Sequence, residues 1–211
     1  PRVFVERIDI EGNSTTLDKV IRRKFDTIEG DTFNRRKIRQ ATNRVRQLDF
    51  FTKVDVNTRE GSSPEQIILD VDVEEKPTGS FGFGVTASTD SGLGFSVDIV
   101  ERNFLGRGQT IGASIAASSA DSALKLQFVE PAFLSRDLEF ALNLGFGETE
   151  TDNTPYDTSS AYFSPSIAFP ISQNGRLRLF TRFSSDEVLR NSDTGIGNDD
   201  LGEASIVMEP D

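Results

Sequence analysis

The chain contains no cysteine, no histidine and no tryptophan. Without Cys there is neither a disulfide framework nor a thiolate nucleophile. Without His a Ser–His–Asp triad is excluded, and a zinc site of the ordinary kind is not expected. No apolar run is long enough for a membrane helix, and no signal peptide or initiator Met precedes Pro1. The expectation is a removed leader or an interior piece of something longer. "GRGQTIG" (106–112) approaches a dinucleotide fingerprint, but alternating apolar residues follow it instead of a helix. "NST" (13–15) fits a glycosylation acceptor but is better explained as a helix start, and "NSDTGIGNDD" (191–200) lacks the ligand spacing of a calcium loop. No paired carboxylates suited to acid–base work stand out. No catalytic residue, metal site or cofactor is therefore expected.

Charge is abundant but unevenly placed. Residues 1–77 hold fifteen basic and fifteen acidic side chains, so the whole net charge of −11 falls after Pro77. With the change of pattern described below, this divides the chain into two domains, 1–77 and 78–211.

Residues 3–10, "VFVERIDI", read as a strand, and "GNST" follows as a turn. Thr15 is placed to cap a helix, with Asp18 completing a capping box. Leu17, Val20, Ile21 and Phe25 recur at helical spacing. "EGD" (29–31) interrupts, and a second helix is expected over 34–48 with Ile38, Ala41, Val45 and Leu48 as its apolar stripe. "FFTKVDV" (50–56) and "QIILDVDVE" (66–74) alternate as strands. The order β-α-α-β-β packs two amphipathic helices on one face of a three-stranded sheet and leaves at least one sheet edge open. Nine basic residues crowd the helices: Arg22, Arg23, Lys24, Arg35, Arg36, Lys37, Arg39, Arg44 and Arg46. The domain is neutral overall and sets no stacking aromatics beside them, so a solvated face is preferred to a nucleic-acid footprint.

Beyond Pro77 the period is two, in segments of roughly ten residues. Phe81, Phe83, Val85 and Ala87 alternate with Gly82, Gly84, Thr86 and Ser88. Six further segments repeat the pattern, including Phe95, Phe128, Phe140 and Phe146 on the apolar side and Gly, Ser, Thr and Asn with a few charges on the other. A soluble sandwich alternates too. The length of these segments suits a bilayer crossing at barrel tilt. Their connections also sort by end. "ERNFLGRG" (101–108), "EPAFLSRD" (130–137) and "SQNG" (172–175) lie at the near end, the end of the first domain. The longer acidic ones, with Glu148, Glu150, Asp152, Asp157, Asp193, Asp199 and Asp200, lie at the far end. "EKPTG" (75–79) is then the membrane boundary. Asp98, Arg102, Lys125, Arg176, Arg178 and Arg182 are candidates for ion pairs along a wet lumen. Seven strands do not close a barrel, and membrane strands need every backbone group paired. Much of the barrel is accordingly expected outside this sequence, with the stretch after Val188 a surface loop.

The β-α-α-β-β module running into a Gly/Phe-rich strand, with "RIDIEGNSTT", "LDFFTKVDV", "VEEKPTGSFGFGVTAS", "ERNFLGRGQ" and "EPAFL" in order, resembles the last POTRA domain and barrel start of the Omp85 superfamily. The resemblance implies an α+β POTRA domain in the periplasm followed by antiparallel transmembrane strands in the outer membrane. It also implies a non-enzymatic factor that folds and inserts outer-membrane proteins. The edge of the first barrel strand, Gly79, Ser80, Phe81, Gly82, Phe83, Gly84, Val85 and Thr86, would template an unfolded client strand. Phe81, Phe83, Phe95, Phe128, Phe140 and Phe146 would face outer-membrane lipid and lipopolysaccharide. Arg22, Arg23 and Glu29 match positions that dock an accessory lipoprotein, and a POTRA edge, "QIILDVDV" or its neighbour, would hold clients in transit. A polypeptide exporter of the same superfamily is the alternative. A passive porin fits less well, because it needs neither the basic helices nor a glycine-weakened first strand.

Overall fold

A computed structural model describes residues 2–89, 92–150, 156–172, 175–190 and 203–210. It resolves into two compact units, residues 1–78 together with 103–108, and residues 79–102 together with 109–211. Among the described residues no helix is long and apolar enough to cross a membrane.

The first unit runs β1 (Phe4–Glu11), α1 (Asp18–Arg22), α2 (Arg35–Arg46), β2 (Phe51–Glu60) and β3 (Gln66–Glu75). Its sheet has the order β1-β3-β2, with β1 parallel and β2 antiparallel to β3. The alternation seen in the sequence puts Val54 of β2 and Leu69, Val71 and Val73 of β3 into one core with Val20, Ile21, Phe25, Ile38, Ala41 and Val45, and a register shift between Val5 and Arg7 of β1 lets both Val5 and Ile8 join it. Each fully buried aliphatic side chain contributes roughly 1.5–3 kcal/mol relative to exposure, which is what holds a short sheet and two helices together. The side chain of Asn34 caps α2 by accepting from the Arg36 and Lys37 N–H groups.

Three expectations fail in this unit. The capping box at Thr15 and Asp18 does not form; Leu17 occupies the cap position with no side-chain bond, and its own side chain is exposed instead of lying in the core stripe. The reason is competition from residues distant in sequence, described below. "QIILDVDV" is the central strand, so both its edges are paired and it offers none to a client. The edge role falls to its neighbours. Of these, β1 is partly covered by a bridge from Phe4 to Thr32, while β2 has no second strand partner among the described residues.

The second unit is one antiparallel sheet. It comprises β4 (Gly79–Ser88), β5 (Gly92–Phe104), β6 (Gln109–Ala117), β7 (Asp121–Glu130), β8 (Glu139–Thr149), β9 (Tyr156–Pro170), β10 (Arg176–Arg190) and β11 (Glu203–Pro210). The strands lie in sequence order from β4 at one end to β11 at the other, and among the described residues the sheet does not close. An eighth strand thus follows the seven expected, and β10 continues through Val188 where a loop was expected. The end of β10, with Ser184, Ser185, Asp186 and Glu187 in succession, interrupts the alternation; the β10–β11 pairing runs from Leu177↔Pro210 to Ser184↔Glu203.

The register sorts this sheet into two faces. Phe81 opposes Ile99, Val85 opposes Phe95, Ile111 opposes Phe128, Leu124 opposes Phe146 and Leu144 opposes Phe163. On the other face Gly82 opposes Asp98, Ser114 opposes Lys125 and Gly145 opposes Tyr162. The apolar face buries almost nothing. Among the described residues of this unit the buried apolar side chains are Ala120, Ala141 and Ala168, while Phe81 is 70% and Phe83 65% exposed. A soluble sandwich would cover such a face with a second sheet; a continuous exposed apolar surface marks a lipid or partner interface.

Candidate functional site

The candidate client edge is β4 itself. It is the terminal strand of its sheet, paired on one side with β5 from Gly79↔Glu101 to Ser88↔Gly92 and carrying no strand on the other among the described residues. Phe81, Phe83 and Val85 project from the apolar face, while Gly82 and Gly84 leave the polar face nearly bare. A Cβ added at Gly84 would come 2.7 Å from the Ser96 hydroxyl, and one at Gly82 would sit 3.5 Å from Asp98 Cβ. So β4 holds β5 through backbone bonds with little side-chain interlock on that face. An unpaired strand edge presents a row of backbone donors and acceptors to any extended segment.

Of the residues expected to face lipid, Phe81, Phe83, Phe95 and Phe146 are exposed and Phe128 and Phe140 are half-buried. All six lie on the apolar face by register.

Of the docking trio, Arg22 and Glu29 come together. The Arg22 guanidinium lies 3.0 Å from Asp18 and 3.4 Å from Glu29 and donates to the Ile8 carbonyl at 3.0 Å. All three charged groups are solvent-accessible, so the cluster adds little stability and presents charge to a partner. The Arg23 guanidinium lies beside Gly108.

That contact belongs to the connection within "ERNFLGRG" (101–108). Residues 103–108 are part of the first compact unit. Asn103 is 6% exposed, donates to the Thr16 hydroxyl at 2.8 Å and accepts from the Gly108 N–H at 2.8 Å. The Gly106 carbonyl accepts from the Leu17 N–H at 2.8 Å. Gly106 has φ +69°, and a Cβ there would stand 2.0 Å from the Thr15 carbonyl oxygen, so no other residue fits. From the opposite side Glu75, at the end of β3, accepts from the Ser14 hydroxyl at 2.8 Å and from the Thr15 and Thr16 N–H groups at 2.9 and 2.6 Å. Of the groups a capping box would use, the Thr15 N–H is taken by Glu75 and the Asp18 carboxylate by Arg22, and α1 starts at Asp18 without a side-chain cap. Burial pushes the Glu75 pKa up, but the hydrogen bonds from Thr16, Thr15 and Ser14 outweigh it and hold it at about 2. The visible signal was the composition of "NFLGRG": an Asn and two glycines in six residues is dense for a mere connection.

On the polar face of the sheet, a concavity of about 300 Å³ is lined in part by Asp98, Lys125, Gln127, Asn143 and Tyr162. The Arg182 guanidinium stacks 4.0 Å from the centre of the Tyr162 ring. Arg176 pairs with Asp137 at 3.0 Å and Arg178 with Glu139 at 3.2 Å, so two of the ion pairs expected on this face form, with acids of the β7–β8 side. Among the described residues no cluster of acidic side chains is suited to hold a metal ion.

Two family models match the chain. Residues 3–76 match POTRA, described as a surface antigen variable number repeat, and residues 103–204 match the Omp85 superfamily domain. The outer membrane protein assembly factor BamA of Nitratidesulfovibrio vulgaris is 30% identical over 139 residues, covering 66% of this chain and 18% of that protein. BamA of Buchnera aphidicola is 24% identical over 209 residues, covering 97% of this chain and 34% of that one. The chain thus spans between about a fifth and a third of the length of these relatives. Among solved structures, BamA from Haemophilus ducreyi lacking POTRA domains 1–3 superposes with a TM-score of 0.78 at 21% identity, over 98% of this chain and 43% of that one. CdiB from Acinetobacter baumannii gives 0.62 at 13% identity, over 89% of this chain and 39% of that one.

Proposed function

Since the chain belongs to the Omp85 superfamily, we propose that it forms the membrane-proximal POTRA domain and first barrel strands of an outer-membrane protein assembly factor, with β4 as the strand that receives clients. The observation that carries this is the position of β4: a ten-residue strand at the end of its sheet, flanked by an exposed apolar face. In hydrocarbon an unpaired backbone group costs several kcal/mol, because no water replaces the missing bond. An edge held open beside lipid is therefore a strong acceptor for another strand. A client segment that pairs there satisfies its own backbone at the moment it leaves water, which is β-augmentation carried out inside a membrane.

Glycine makes the edge reusable. Each Gly in a strand interior weakens pairing by roughly 0.5–1 kcal/mol relative to Ala, and Gly79, Gly82 and Gly84 fall in the first six residues of β4. Release of a finished client then competes with retention. The process uses the free energy of strand pairing and apolar burial, and no residue of the chain is assigned a catalytic role. In this scheme the POTRA domain stands in the periplasm, Arg22 and Glu29 meet an accessory lipoprotein, and the apolar face meets outer-membrane lipid and lipopolysaccharide.

The competing scheme is export of an unfolded polypeptide past the polar face, where the sheet carries a concavity lined in part by Asp98, Lys125 and Gln127. Site-specific photo-crosslinking in the full-length protein separates the two. A photoreactive residue at Gly84 should capture the C-terminal strand of an outer-membrane protein during assembly, and one at Lys125 should not. Adducts confined to Lys125, formed with secreted polypeptides, would mean an exporter and no client edge.

A further inference from the structure

The β7–β8 connection is not a simple turn. Its 3₁₀ segment, Phe133–Ser135, is followed directly by the strand approach at Leu138. Phe133 N–H donates to the Leu138 carbonyl at 2.7 Å, Ser135 N–H to Ala132 at 3.0 Å and Arg136 N–H to Phe133 at 3.2 Å, closing the segment on itself. Inside it Leu134 has φ 56° and Ser135 φ 58°, two successive non-glycine residues in the left-handed region. Such strain persists only where surrounding bonds over-determine it, and it is a reason to look for a use.

The direction of the fold-back supplies that use. Phe133 stacks on Phe140 with ring centroids 5.2 Å apart. Phe140 opposes Ile167 on the apolar face, so the connection bends over that face at its near end. It carries Leu134 with it, 71% exposed and as open to solvent as any large apolar side chain of the sheet. The charges around it are settled on one side only. Asp137 pairs with Arg176 at 3.0 Å, and Glu130 accepts from the Ala132 N–H at 2.9 Å and from the Gln109 amide at 2.6 Å. Arg136 is exposed and has no ion-pair partner among the described residues. An aliphatic side chain and an uncommitted guanidinium two residues apart, at the rim of an apolar face, match the boundary between acyl chains and phosphate groups.

We propose that residues 130–138 form a membrane-interface hook, in which Leu134 inserts among the acyl chains of a phospholipid leaflet and Arg136 binds a lipid phosphate. Left-handed backbone at 134 and 135 aims the leucine outward over the apolar face instead of continuing the strand. The hook rests on the reading that this face lies against lipid, and its test separates the two.

The full-length protein would be reconstituted into phosphatidylcholine–phosphatidylglycerol vesicles with one fluorescent amino acid at Leu134, at Phe140 or at Ser172 in another near-end connection. Quenching by lipids brominated high on the acyl chain reports depth. Leu134 should be quenched nearly as strongly as Phe140 and at least twofold more than Ser172, and Arg136→Glu should cut the Leu134 signal by about half. Quenching at Phe140 with Leu134 no better than Ser172 overturns the hook and leaves the membrane face standing. No quenching at Phe140 either would overturn both, and an unchanged signal in Arg136→Glu would remove the phosphate contact. Leu134→Gly, which suits the left-handed backbone, serves as the folding control: the protein should insert and resist heat as before while a label at Ser135 loses its quenching.

Discussion

Glu75 shows how one side chain can decide where a helix begins. Its carboxylate takes two N–H donors and a hydroxyl from Ser14, Thr15 and Thr16, so the residues best suited by type to cap α1 are engaged 59 to 61 positions away in sequence. No local rule can see that partner, which is why a capping box was legible and wrong. The same bonds make Glu75 a stability switch. In the unfolded chain it titrates near the ordinary 4.5, in the folded domain at about 2. The folded pKa is the lower one, so its stabilisation is complete above about pH 4.5 and is lost as pH falls toward 2. Partial exposure to solvent tempers its size. Urea unfolding followed across this range should show the POTRA midpoint of the native protein falling more steeply than that of Glu75→Gln, which keeps a side chain of the same shape but does not titrate. Equal slopes for the two would mean that the carboxylate carries no linkage.

At the scale of the element, the barrel strands were legible because lipid-facing and water-facing positions must alternate when both sides are solvated differently. That rule finds β4 to β9 easily, since Phe81, Phe95, Phe128, Phe146 and Phe163 all land on one face. It does not say how neighbouring strands are kept in register on the polar face, where glycine and serine give little grip. Tyr162 does this for β8, β9 and β10. It opposes Gly145 directly, its ring covering the glycine so closely that a Cβ would fall 2.0 Å from Cε1, and Arg182 of β10 stacks on it. A tyrosine among Gly and Ser on the wet side was the available signal, and apolar periodicity passes over it. Gly145→Ala should force the ring off its seat, with a strain of roughly 1–3 kcal/mol and loss of a cation–π contact worth about 0.5–1 kcal/mol. Hydrogen exchange should then quicken at the β8 and β9 amides around residues 145 and 162 while β4 to β6 stay unchanged. Uniform exchange across the sheet, or none, would show that the ring does not fix the register.

For the whole molecule, the informative mismatch is between the domain a linear sequence suggests and the unit that packs. Charge balance and periodicity both change at Pro77, and a boundary drawn there treats everything beyond as barrel. The first compact unit nevertheless takes in residues 103–108, because Asn103 and Gly106 complete hydrogen bonds of Thr16 and Leu17 that residues 1–78 cannot close alone. A segment returning from 25 residues downstream leaves no periodic trace; only its glycines mark it. The consequence is measurable in a POTRA segment cut at residue 78. Its core is intact, so it should fold, but the Leu17 N–H loses the Gly106 carbonyl and Thr16 loses the Asn103 amide. A group left unsatisfied at such a site costs about 1–3 kcal/mol if it stays buried, and less if the end of the helix frays to reach water. Fraying is the cheaper outcome at the uncapped start of a five-residue helix. The Leu17 amide should therefore exchange fast in the excised segment and slowly in the full-length protein, with the α2 amides from Ile38 to Val45 alike in both. Asn103→Ala in the full-length protein should move Leu17 part of the way toward the excised behaviour and should quicken exchange of the Gly108 N–H, which loses its Asn103 acceptor. If Leu17 is equally protected in the excised segment, residues 103–108 only rest on a domain that is complete without them.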